Sequence, residues 1–106
     1  MISEKAFIAM ALSLPRTERA PHFDRIGFKV TGRRMFATYL AKDKTANIFL
    51  TPEEQKAFCK MDKNISPVPN KWDEKGTTTF DLNYVSEELL MEALQSAYND
   101  VLKKKK

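Results

Sequence analysis

The chain is 106 residues long, 42% hydrophobic and 10% aromatic, with one cysteine and a formal net charge of +4. That length suits one domain with its own core, the composition excludes a disordered chain, and the lone Cys59 excludes an internal disulfide or a cysteine-rich zinc site. No apolar run approaches the ~18 residues that cross a bilayer, and the opening MISEKAF, with an acid and a base before any apolar stretch, does not read as a signal peptide. The expectation is a soluble cytoplasmic monomer without membrane contact.

Taken in order, the chain opens on a helix. Ser3 can cap it, Glu4 suits the positive end of its dipole, and Phe7, Met10, Ala11 and Leu14 form a stripe that Pro15 ends. Arg16 to Ala20 reads as a polar connection, with room for a short extra strand near Pro21 to Asp24. Ile26 to Val30 alternates and predicts a strand with one wet face. Thr31-Gly32-Arg33 is a turn with glycine where positive φ is needed. Met35 to Leu40 is apolar on both faces apart from Thr38, the pattern of a central strand. Lys42-Asp43-Lys44 makes a second turn, and Ala46 to Leu50 returns as a third strand.

Thr51-Pro52-Glu53-Glu54 carries a capping box with proline at the first helical position. The helix it starts runs to about Met61 and is expected to bury Ala57 with Phe58 or Cys59. Ile65 to Asn70 reads as irregular, because Pro67 and Pro69 forbid a central strand. Lys71 to Glu74 and Thr77 to Leu82 then read as a hairpin across Lys75-Gly76. Ser86 caps a last helix whose buried face is Leu89, Leu90, Ala93, Leu94, Ala97, Tyr98 and Val101. The order α-βββ-α-ββ-α with consecutive hairpins predicts an α+β two-layer sandwich, an antiparallel sheet with helices packed on one face. One domain covers residues 1–102, and residues 103–106 are a basic tail.

Catalytic chemistry is not visible. His22 and Asp24 have no nucleophile beside them. Gly27, Gly32 and Gly76 cannot build a phosphate loop. Ser66, Ser86 and Ser96 lack an elbow context. Glu87, Glu88 and Glu92 read as a solvated helix face, against a sharper reading as a cation-binding ridge. No catalytic residue, metal ligand or cofactor is therefore assigned. The tail supplies four of the eighteen Lys and Arg residues, leaving the other fourteen balanced by the fourteen acids. All the arginines lie in residues 1–34, and guanidinium suits phosphate. Arg25, Lys29, Arg33, Arg34, Lys42 and Lys44 are the candidate phosphate contacts. Two basic hairpin tips side by side would act as wings on a nucleic-acid backbone. Trp72 offers a stacking or partner-contact surface.

The chain resembles the MmcQ/YjbR family. The resemblance rests on ALSLPRTE at Ala11 to Glu18, the F-x-V-x-G-R-x-M-F-A segment at Phe28 to Ala37, and IFLTPEEQ at Ile48 to Gln55. The proline-rich loop ending in Lys71-Trp72 and the closing Ser96 to Val101 complete it. It implies a compact α+β fold related to the frataxin/CyaY shape and DNA binding through a double-wing arrangement, with no catalytic residues. DNA contact through the basic turns is the first expectation. The alternative is a non-enzymatic adaptor that binds a protein or small ligand on its sheet face and Trp72.

Overall fold

In the computed structural model, residues 1–22, 24–68 and 76–103 are described. The elements run α1 (Glu4–Leu12), β1 (Thr17–His22), β2 (Arg25–Val30), β3 (Met35–Leu40), β4 (Thr45–Phe49), α2 (Pro52–Met61), β5 (Ile65–Pro67), β6 (Thr77–Asp81) and α3 (Glu87–Lys103). All six strands join one antiparallel sheet in the order β1-β2-β3-β4-β6-β5. The expected α+β class and the one-sided helix layer are both present.

Capping fixes where each helix starts. Ser3 Oγ accepts from the Ala6 N–H at 3.1 Å, and Ser86 Oγ accepts from the Leu89 N–H at the same distance. At α2 the box is reciprocal: Thr51 Oγ1 accepts from the Glu54 N–H, and Glu54 Oε1 accepts from the Thr51 N–H. Two orphan donors at the helix start are thereby satisfied.

Register sorts the sheet into two faces. Phe28 and Ala37, Tyr39 and Ala46, and Ala46 and Phe80 stand opposite one another, so they share a side. All three helices pack on this side through aromatic pairs. Phe7 of α1 meets Phe28 and Tyr39 at ring-centroid distances of 5.5 and 5.6 Å. Tyr98 of α3 meets Phe36 at 6.0 Å, and Phe58 of α2 meets Phe80 at 6.2 Å. Phe7, Phe28, Phe36 and Phe80 are fully buried. A bulge lets Phe36 face the helices: Phe28 pairs with Ala37 but Lys29 with Met35, so Phe36 is the extra residue.

Three readings are corrected. The polar connection Arg16 to Ala20 is largely strand β1, an edge strand in full register with β2; exposed residues and Pro21 masked it, and an edge accommodates both. The stretch from Ile65, read as irregular, contains β5, and its proline is tolerated because β5 is the opposite edge. In α2, Ala57 is exposed, and Gln55 is buried beside Phe58, its Nε2 donating to the Thr77 carbonyl at 2.9 Å. The strand expected at Lys71 to Glu74 lies outside the described residues; β6 pairs with β4 and β5.

Candidate nucleic-acid interface

Strand direction places every candidate cation. The β2–β3 turn carrying Arg33 and Arg34 lies at one end of β3, and the β3–β4 turn carrying Lys42 and Lys44 lies at the other. Six residues of strand separate them, about 20 Å. The side-by-side pair of basic tips is therefore not what forms: successive hairpins of a meander necessarily point opposite ways.

The end carrying Arg33 and Arg34 gathers further cations. The Thr31 N–H donates to the Arg16 carbonyl at 2.7 Å, pulling the α1–β1 connection against the turn. Arg16 adopts φ 61°, a left-handed conformation that a non-glycine residue takes at some cost. Arg33 Nη1 donates to the Val101 carbonyl at 3.4 Å, joining the turn to the last turn of α3. The Tyr98 hydroxyl donates to the Pro15 carbonyl at 2.7 Å, joining the same helix to the residue before Arg16. Arg16, Arg33, Arg34 and Lys103 are all exposed. Arg16 and Lys103 escape the sequence pattern because only tertiary contacts bring them to residues 33 and 34.

Acids share this end, Glu18 of β1 among them. Glu53 and Glu54 open α2, and Asp100 lies in the last turns of α3. The Glu54 carboxyl is pushed above its ordinary range by burial first, and then by the neighbouring Asp100 carboxyl. A like charge close by disfavours the ionised form of Glu54.

At the opposite end, Lys42 and Lys44 are exposed, and Lys44 is held at φ 57°. They share that end with Asp24, Asp43 and Asp81 and with the first-turn acids Glu4, Glu87 and Glu88. The connection from β6 to α3 is tied to the turn by the Leu82 N–H donating to the Lys44 carbonyl at 3.1 Å. Asp81 Oδ1 accepts from the Asn83 N–H at 3.0 Å, which tightens that connection.

Lys29 and Arg25 lie toward opposite ends of β2, Lys29 beside the Arg33–Arg34 turn and Arg25 toward the end that carries Lys42 and Lys44. Lys29 Nζ pairs with Glu18 Oε2 at 3.5 Å across β1 and β2, and both side chains are largely solvated. Such a pair contributes about 0–1 kcal/mol. Arg25 is half-buried, and its Nη1 is shielded from solvent. Trp72 and the side chain of His22 lie outside the described residues, as do Lys104 to Lys106. Cys59 is half-buried, and burial pushes its thiol above the usual range. Among the described residues no three His, Cys, Asp or Glu side chains converge as metal ligands, and no helix is long and apolar enough to cross a membrane.

The profile of the YjbR family matches residues 12–100. The chain belongs to the YjbR family. Its fold is similar to the crystal structure of Deinococcus radiodurans protein DR2400, of domain family DUF419, with a TM-score of 0.82 over 98% of this chain and 81% of that one. The two sequences are 24% identical, so this likeness speaks for the fold. No curated protein matches the chain.

Proposed function

We propose that this YjbR-family protein is a non-enzymatic DNA-binding module whose contact surface is the arginine end of the sheet. Arg16, Arg34 and Lys103 would contact phosphates, and Arg33 would hold the turn against α3 while adding its charge. The supporting observation is the 2.7 Å bond from the Thr31 N–H to the Arg16 carbonyl, which makes neighbours of two separate arginine segments. Guanidinium groups on adjacent turns can span successive phosphates of one strand. Lys42 and Lys44 drop out of the contact set because the acids around them repel a polyanion, and Lys29 because Glu18 neutralises it.

The test is a salt titration of duplex binding by fluorescence anisotropy. Each phosphate contact contributes about −0.9 to the log–log slope, so four cations give roughly −3 to −4. The double variant Arg16→Gln/Arg34→Gln is expected to bring that slope about 2 units closer to zero and weaken low-salt binding at least tenfold. Lys42→Gln/Lys44→Gln is expected to leave binding within about twofold, because screened charges ~20 Å away contribute little. No binding at low salt, a larger effect from the lysine pair, or complete loss on deleting residues 103–106 would each refute the arginine end as the contact surface.

A further inference from the structure

Two polar groups on the helix-free face of the sheet are buried without hydrogen-bond partners. One is Thr38 Oγ1, on a residue only 2% exposed. The other is Arg25 Nη1. Buried polar atoms are satisfied in about nine cases of ten or better, so each is exceptional. Their placement is related. Thr38 stands directly opposite Gly27 in the β2–β3 ladder. Arg25 is two residues from Gly27 on the same strand, hence on the same face. That makes Arg25 and Thr38 diagonal neighbours, about 7–8 Å apart at the backbone and within reach of a long side chain.

The neighbouring side chains are largely apolar. Gly27 contributes no side chain opposite Thr38, and the Met35 thioether fills its place: a Cβ on Gly27 would meet Met35 Cε at 2.7 Å and Sδ at 2.8 Å. Thioether side chains move easily and tolerate varied neighbours. Leu40, two residues beyond Thr38, is also buried on this face. A guanidinium N–H and a hydroxyl can donate to one acceptor, with apolar Met35 and Leu40 beside it.

We infer that the helix-free face binds a small oxyanion, a carboxylate or a phosphate, between Arg25 and Thr38 with Met35 as a movable cover. The acceptor is anionic because one of its two donors is a permanent cation, and charge-assisted bonds are the strong ones. This site is separate from the arginine end, and either can fail without the other.

The experiment follows backbone amides by NMR at fixed ionic strength, titrating sodium butyrate and inorganic phosphate separately. The Gly27 and Thr38 amides are expected to shift saturably with at least one probe, and the probe that saturates identifies the source of the oxyanion. Arg25→Gln should raise the dissociation constant at least tenfold. Thr38→Val, which keeps the shape and removes the hydroxyl, should raise it about threefold or more. The same spectra report folding; if Arg25→Gln is unfolded, Arg25→Lys replaces it and should still weaken binding, because the planar fork is lost. Saturable shifts that persist unchanged in the Arg25 variant would overturn the inference. So would shifts confined to Arg16, Arg33 and Arg34, or none with either probe, the result expected if water alone serves the two donors.

Discussion

The two ends of this sheet are made from the same parts and differ in which helix ends they collect. Each has a tight basic hairpin turn and a second connection hydrogen-bonded to it. At the lysine end, α1 and α3 begin, and the acids that suit helix starts, Glu4, Glu87 and Glu88, arrive with them. At the arginine end the same two helices finish, and their carbonyl ends favour cations. Because α1 and α3 run the same way between the ends, their first-turn acids all fall at the lysine end. The helix α2 runs the opposite way and brings Glu53 and Glu54 to the arginine end and Lys60 to the lysine end. Equal numbers of acids and bases in residues 1–102 therefore say little about either surface.

The largest test of how the arginine end is built is at Gly76, where β6 begins. Its φ is 94°, and a Cβ there would strike the Leu50 carbonyl and the Thr51 backbone, the start of the α2 cap. Backbone on both sides leaves nothing flexible to give way. Gly76→Ala is expected to cost about 3 kcal/mol or more, a fall of roughly 12 °C or more in Tm. At the same end, Gly32 has φ 80° with nothing near its missing Cβ. Gly32→Ala should cost only the left-handed penalty, about 1–2 kcal/mol. Thermal unfolding by circular dichroism separates the two, and equal losses would mean that the Leu50 approach is not what holds β6.

A smaller effect is expected from Tyr98→Phe. The hydroxyl is lost, the buried ring stays against Phe36, and the Pro15 carbonyl gives up its donor. The cost should be about 1 kcal/mol. Its more specific sign is local: the Thr31 amide, donated to Arg16, should exchange with solvent faster, while the Leu82 amide at the lysine end should not. Uniform acceleration at both ends would show that the bond stabilises the whole domain and does not specifically position Arg16.

Much of this architecture is legible in the residues. The helix caps, Gly32, and the alternation in β2 and β4 are local signals, and local signals determine elements. What escapes is set by pairing. β1 is read as a connection because an edge strand carries little alternating burial, and β5 because proline argues only against a central strand. The candidate site fails for a related reason. Arg33 and Arg34 are recognisable as a basic turn, but the choice of neighbours depends on strand direction. Lys42 lies eight residues from Arg34 along the chain yet at the far end of the sheet, whereas Arg16 and Lys103 are remote in sequence and adjacent in the fold.

The smallest effect concerns the carboxyl pair that α2 brings to the arginine end. Because the folded protein raises the Glu54 pKa above its ordinary 4.5, this group adds stability that is complete below the unfolded value and disappears as pH rises through the folded one. Near neutrality the ionised carboxylate faces Asp100 at a disadvantage. Gln at this position can still close the capping box, and it places no charge beside Asp100. Glu54→Gln should therefore match the wild type in acid and exceed it at neutral pH by about 1–2 °C, the few tenths of a kcal/mol carried by a partly solvated pair. It should also strengthen low-salt DNA binding slightly, since one acid leaves the arginine end. A variant less stable than the wild type at neutral pH would mean that Glu54 acts there mainly as a charge on the α2 dipole, and that its proximity to Asp100 costs the fold nothing.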